Sequence, residues 1–283
     1  MPAKLVKTIS GVRKAVQQVK KEGGKVGFVP TMGYLHEGHL SLMRQARKET
    51  DFVVISIFVN PLQFGPKEDL NRYPRDINRD KRLANEVGVD LIFYPDENEM
   101  YPQPFRTFVE VKELDEYLCG RSRPGHFRGV CTVVAKLFNI VQPDIAYFGQ
   151  KDIQQARIIQ QMVKDLNFPI KIKVMPIIRE EDGVAKSSRN VYLSQSQRES
   201  ACILHKALCY GKEKIKDNVR PTNVIKKMKE MITKEGGKID YVELVDWANL
   251  RPVNKVEKGK KYILAVAAWF GKARLIDNEV ITL

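Results

Sequence analysis

No apolar run in this chain of 283 residues approaches the roughly 18 needed to span a bilayer. The longest, Phe52 to Val59, has the length of a strand. The opening MPAKLVKTIS has no apolar core followed by a small-residue cleavage site, so a cytoplasmic location without membrane partners is expected. Cysteine is scarce: Cys119, Cys131, Cys202 and Cys209 form no C-x-x-C pair and no zinc-spaced cluster with histidine. That pattern argues against a disulfide framework and a protein-held metal. The chain lacks G-x-G-x-x-G, and its near P-loop, Gly33-x4-Gly38, lacks the Lys and the adjoining Ser/Thr. No Ser/His/Asp or Cys/His arrangement points to a protein nucleophile. Acidic residues are short, 34 against 48 Lys and Arg, giving a net charge of +14. Such a balance favours anionic partners, either nucleic acid or small phosphorylated and carboxylated ligands. The excess is spread along the chain, and its Lys-rich stretches fall in helix-like patterns where a solvated face is expected.

What is present is a globular composition, 43% hydrophobic and 29% charged. The first two-thirds alternate strand-like and helix-like segments. Val12, Ala15, Val16 and Val19 recur at helical spacing after Ser10, a good N-cap, and Gly23-Gly24 ends that helix. Val26 to Val29 reads as a strand, a helix follows from about Gly38, and Phe52 to Val59 reads as a central parallel strand covered on both sides. Ile77 to Val87, the apolar helix around Val130 to Phe138, and Ile153 to Leu166 read as helices. Asp90 to Tyr94, Ile145 to Phe148 and Ile170 to Val174 read as strands. This rhythm predicts a Rossmann-like α/β fold, a doubly wound parallel sheet over residues 1–176. After Pro176 come a hairpin turn at Asp182-Gly183, helices over 196–216 and 222–236, and strands over 241–245, 262–268 and 274–276. Residues 177–283 are therefore expected to form a smaller α+β domain.

The most informative stretch is Pro30-Thr-Met32-Gly33-Tyr34-Leu35-His36-Glu37-Gly38-His39. Two of only four histidines lie three residues apart, where the first strand gives way to a helix. A helix N-terminus offers unpaired N–H groups and partial positive charge, which suits a phosphate. Two imidazoles on its first turn can donate to phosphate oxygens as charge builds. A zinc site would need a third ligand that is not near in sequence. The stretch resembles the signature of the HIGH-motif nucleotidyltransferase superfamily. Lys186-Ser187-Ser188-Arg189 stands where members of that group carry a second phosphate-contacting loop.

Further motifs are Asn60-Pro-Leu-Gln63-Phe-Gly65 after the second strand, Ser122-Arg123-Pro-Gly-His126-Phe-Arg128, and Gly149-Gln150-Lys151-Asp152-Ile-Gln-Gln155. In this order, and with Ala267 to Asn278, they resemble the pantothenate synthetase family, the pantoate–β-alanine ligases. The resemblance implies ATP-dependent condensation of (R)-pantoate with β-alanine to pantothenate through a pantoyl-adenylate, releasing AMP and diphosphate. It implies that Met32 through His39 bind ATP, with His36 and His39 at the phosphates and catalytic. It assigns Gly149 to Asp152 to the adenosine, with Lys151 also catalytic at the phosphates, and Ile178 to adenine. Lys186, Ser187, Ser188 and Arg189 are assigned to the triphosphate, and Asn60, Gln63 and Gln155 to pantoate. ATP with Mg²⁺, a homodimer and a C-terminal domain closing over the active site are further implications; nucleic acid is not an expected partner. Two rivals stay open: a nucleotidyltransferase that releases a stable conjugate, and a basic RNA-binding protein on a synthetase-like core.

Overall fold

The computed structural model describes residues 2–66 and 68–283, so Met1, the first residue of the N-terminal reading, lies outside it. The chain contacts divide into two compact units. One comprises the chain up to Lys112 with Arg123–Gly149 and Gln155–Pro176; the other comprises Glu113–Ser122, Gln150–Gln154 and Ile177–Leu283. The second unit thus includes two short segments from the first 176 residues. Within it, the buried Gln154 amide donates to the carbonyls of Leu114 (2.9 Å) and Tyr117 (2.7 Å) and accepts from Cys119 N–H (2.9 Å).

In the first unit the elements run β1 (Lys4–Val6), α1 (Ile9–Lys21), β2 (Val26–Thr31), α2 (Glu37–Glu49), β3 (Phe52–Ile57), α3 (Ile77–Glu86), β4 (Leu91–Phe93) and α4 (Glu97–Met100). After α5 (Leu118–Ser122), which belongs to the other unit, come α6 (His126–Val141), β5 (Ile145–Gly149), α7 (Ile153–Asp165) and β6 (Lys171–Met175). The six strands form one parallel sheet in the order β1-β4-β3-β2-β5-β6. From β2 the chain moves outward through β3 and β4, then returns to the other side of β2 for β5 and β6. The strand order therefore reverses between β2 and β5, and their carboxyl ends flank the crevice where such sheets take ligands.

Strands buried on both faces explain the continuous apolar runs. Val29, Val53, Ile55 and Ile57 pack with Leu40, Met43 and Ala46 of α2 and Ala84 of α3. Phe28 meets Phe138 of α6 edge-on at 6.4 Å. Thirteen residues of α6 are buried, which is why it reads as apolar nearly all round. Two local details differ from the sequence expectation. Thr8 caps α1, accepting from Gly11 N–H at 3.2 Å, so the helix begins before Ser10. The three-residue β1, which pairs with β4, is too short to show a period.

The second unit continues with α8 (Gln195–Ala201), α9 (Ile203–Lys216), α10 (Pro221–Lys234), β7 (Lys238–Asp246), β8 (Lys261–Phe270) and β9 (Ala273–Thr282). The strands form an antiparallel β7-β8-β9 sheet. Leu264, Val266 and Phe270 of the sheet share a core with Leu204, Leu208 and Met228 of the helices. The single helix expected over 196–216 is two, meeting at Cys202, and α8 opens on a Ser194/Gln197 capping box. The Asp182-Gly183 hairpin is present as one antiparallel bridge between Arg179 and Ala185. Among the described residues no helix is long and apolar enough to cross a membrane.

Candidate active site

At the carboxyl end of β2 the chain turns through residues 32–36 into α2, with His36 in extended backbone as the N-cap. The His36 N–H donates to His39 Nδ1 at 3.4 Å, and the two rings lie 4.0 Å apart at 35°. An Nδ1 that accepts a hydrogen bond leaves the proton of a neutral imidazole on Nε2. His39 is thereby set as an Nε2–H donor at a helix N-terminus, the polarity a phosphate oxygen requires.

The turn itself is held by Asp80 of α3, which is 1% exposed. Its two carboxylate oxygens accept from Tyr34 N–H (2.8 Å) and Leu35 N–H (2.7 Å). Burial pushes this carboxyl above its ordinary value, opposed by the two amides and by Arg79 at 3.7 Å. The close approach explains Gly33, whose φ is +82°. A Cβ there would stand 2.8 Å from the Ile57 side chain and 2.9 Å from Asp80 Oδ2. Of the sequence-predicted residues here, Met32, His36, Gly38 and His39 are half-buried. The Leu35 side chain is fully buried in the core, leaving only its backbone to the turn, and Glu37 pairs with Arg44.

Beyond β3, Asn60 and Gln63 stand on a short helical turn. Asn60 is 1% exposed, and its amide is engaged inside the protein. Nδ2 donates to Gln63 Oε1 (3.0 Å) and to the Gly129 carbonyl (3.1 Å). Oδ1 accepts from Leu62 N–H (3.3 Å) and from the Tyr101 hydroxyl (2.8 Å). A side chain so enclosed has its donor and acceptor positions engaged within the protein, and it holds the Gln63 amide beside it. Gln63 Nε2 points to Met32 Sδ at 3.2 Å, joining the amide pair to the histidine turn.

The basic loop before α6 supports the same turn. Arg123 grips Glu68 with two nitrogens, one at 2.8 Å, and places a third 3.0 Å from His126 Nε2. Arginine only donates, so His126 Nε2 accepts, and its Nδ1–H donates to the Gln63 carbonyl at 2.8 Å. Burial pushes the Glu68 carboxyl up, but the Arg123 hydrogen bond and charge outweigh it and hold the group below its ordinary value. Arg123 and His126 thus shape the backbone under Gln63. Gln155 lies half-buried in the first turn of α7, while its neighbour Gln154 is consumed in the structural bonds described above.

In the second unit, Gln150, Lys151 and Asp152 form a helical turn directly after Gly149. The Asn278 side chain donates to the carbonyls of Gln150 (2.9 Å) and Lys151 (3.0 Å), and Lys151 Nζ lies 3.5 Å from Asp152. The Ile178 carbonyl accepts from Lys186 N–H at 2.9 Å across the hairpin, and Lys186 Nζ pairs with Glu180 at 2.5 Å. Ser187 caps the helical turn that carries Ser188 and Arg189. Among the described residues no cluster of three or more His, Cys, Asp or Glu could hold a metal.

Asp80 and Tyr101 escape a sequence reading because each sits far along the chain from the turn it serves. The only local signal for Asp80 is an acid at a helical position facing the core.

A family model described as pantoate-beta-alanine ligase matches residues 4–280. The chain is similar to a pantothenate synthetase of Caldicellulosiruptor bescii, 56% identical over 98% of each chain, and to one of Thermotoga petrophila, 53% identical over 98% of this chain and 99% of the other. Among solved structures, a pantothenate synthetase of Thermus thermophilus superimposes with a TM-score of 0.92 at 46% identity, over 99% of this chain and 100% of that one. A pantoate-beta-alanine ligase of Francisella tularensis, complexed with beta-gamma ATP and beta-alanine, gives 0.83 at 35% identity, over 98% and 97%.

Proposed function

The chain belongs to the pantoate–β-alanine ligase family, and from that membership we infer its reaction, the ATP-dependent condensation of pantoate with β-alanine to pantothenate. A pantoate carboxylate oxygen forms a bond to the α-phosphorus of ATP, and the bond from that phosphorus to diphosphate breaks. The β-alanine amine then attacks the acyl carbon, the carbon–oxygen bond to AMP breaks, and the amine proton leaves to solvent or to the departing phosphate. No protein nucleophile is required; the task is to align two anions and offset their charge.

The observation that carries the reading is the pair His36 and His39 at the N-terminus of α2, on the strand beside the reversal of sheet order. In this reading His39 Nε2–H and His36 meet the phosphates, while the backbone from Met32 to Gly38 lines the nucleotide. Gly149 to Asp152 and Ile178 hold the adenosine, and Lys151 with Lys186 to Arg189 offsets phosphate charge. Gln63 and Gln155 hold pantoate. That the Francisella structure is complexed with beta-gamma ATP and beta-alanine supports the two co-substrates. Mg²⁺ would be held largely by the substrate phosphates, where it would offset their charge. Histidine, lysine and arginine would fit such a complex, because each would donate to phosphate oxygens. The same reading makes the enzyme cytoplasmic and a homodimer.

The decisive experiment is AMP release from ATP with pantoate and β-alanine, each omitted in turn. AMP formation that needs both, with pantothenate as product, is the expected result. AMP formation indifferent to pantoate would overturn the reading in favour of another nucleotidyl transfer.

A further inference from the structure

Tyr101 lies on the coil after α4 and is 3% exposed, its ring set between Phe58 (5.9 Å) and Phe105 (4.8 Å). Its hydroxyl donates to Asn60 Oδ1 at 2.8 Å. Burial pushes the phenol up, so it stays a donor at any working pH. An amide side chain can be placed either way round, and the orientation is decided by its partners. For Asn60 two backbone groups decide it, the Leu62 N–H facing the oxygen and the Gly129 carbonyl facing the nitrogen; the Tyr101 hydroxyl then donates to that oxygen, and Gln63 Oε1 accepts from that nitrogen. The bond from Asn60 in turn engages Gln63 Oε1 and leaves Gln63 Nε2 as the outward group. That Nε2 now faces Met32 Sδ, a weak acceptor that a carboxylate or hydroxyl oxygen would displace.

We propose that Tyr101 is a positioning residue for pantoate: through Asn60 it fixes the Gln63 amide with its N–H₂ turned outward, selecting a substrate that presents an oxygen acceptor at that point. The direction of the chain, O–H to Oδ1 and Nδ2–H to Oε1, makes Gln63 a donor before any substrate arrives. Nothing is then spent on reorienting it. This rests on the reading above that Gln63 holds pantoate, and the test separates the two.

Steady-state kinetics with pantoate varied, on Tyr101→Phe, Gln63→Ala, the double variant and Asn60→Asp, decide the matter. Tyr101→Phe removes one oxygen and keeps the ring packing. It is expected to raise the pantoate KM about 5- to 10-fold, the scale of one buried hydrogen bond, with kcat and the ATP KM within about two-fold. Adding Tyr101→Phe to Gln63→Ala should change the pantoate KM no further, because the side chain being oriented is gone. Asn60→Asp keeps the acceptor for Tyr101 but removes the donor to Gln63 Oε1. It is expected to raise the pantoate KM more than Tyr101→Phe does, and it decides the proposal if Tyr101→Phe does not fold. A pantoate KM unchanged in Tyr101→Phe, or in Asn60→Asp, overturns the proposal while a raised KM in Gln63→Ala leaves the Gln63 reading standing. A pantoate KM unchanged in Gln63→Ala removes both. Additive effects in the double variant, or equal losses in pantoate KM and ATP KM, make Tyr101 a packing residue only and also overturn it.

Discussion

Asp80 gives each of its oxygens to one backbone amide of the histidine turn, and an isosteric asparagine in its place could accept only one of them. Asp80→Asn therefore leaves one N–H facing an NH₂ group and displaces the turn that sets His39. Adenylation, read as pantoate-dependent exchange of diphosphate into ATP, is expected to fall about 10- to 100-fold, the scale of a small misplacement at reacting groups. The same residue carries a pH signature. Its folded-state pKa lies above the ordinary 3.8, so the native state holds this proton more tightly than the unfolded chain. The stability this gives is fully present below 3.8 and is lost as pH rises through the raised value. Asp80→Asn does not titrate, so the stability of the natural chain relative to the variant should rise as pH is lowered from neutrality. Urea midpoints for both proteins across that range check it; a constant difference would mean that Asp80 does not titrate with folding.

At the scale of elements, α6 approaches the Asn60–Gln63 turn so closely that only glycine fits at position 129. A Cβ on Gly129 would stand 2.2 Å from the Leu62 carbonyl oxygen and 2.6 Å from Gln63 N, and neither backbone atom can turn aside. Gly129→Ala is expected to lower stability by about 1–3 kcal/mol, as overpacking does, and to raise the pantoate KM by moving Gln63. A urea midpoint equal to that of the natural chain would show that the helix yields freely. Elements were legible in the sequence in proportion to their burial. The run Phe52 to Val59 announced β3, and the apolar stretch from Val130 announced α6, though α6 starts at His126. The break at Cys202 was not legible, because α8 and α9 share one helical pattern and are parted at a single residue whose own backbone is right-handed helical.

At the scale of the molecule, a net charge of +14 on each chain opposes association between copies. A homodimer, proposed from the family likeness, has to overcome that repulsion by contact at its interface. Sedimentation is expected to give twice the 32.5 kDa of one chain at ordinary salt and to shift toward the single chain as ionic strength falls, where screening is lost. A single-chain mass at every salt concentration would remove the dimer. The same charge drew attention to nucleic acid in the sequence, yet it forms no tail, and the phosphate-seeking groups of the proposed site are few and discrete.

The sequence by itself determined the class of fold, because strands buried on both faces must be apolar throughout and helices must repeat their apolar face. It also placed His36 and His39 on one helical turn by spacing alone, while the chemistry proposed came from the resemblance that this turn shares with the other motifs. Tertiary structure decided which strands are neighbours: the order β1-β4-β3-β2-β5-β6 places β2 beside β5, although more than a hundred residues separate them. It also decided what each polar side chain is for. Asn60 and Gln63 look alike in sequence, as do Gln154 and Gln155. Only contacts with Tyr101, Gly129, Leu114 and Tyr117 show that the Asn60 and Gln154 amides are engaged within the protein. A hydrogen bond is short and directional, so its partners are fixed by where the folded chain brings them and leave no period in the sequence.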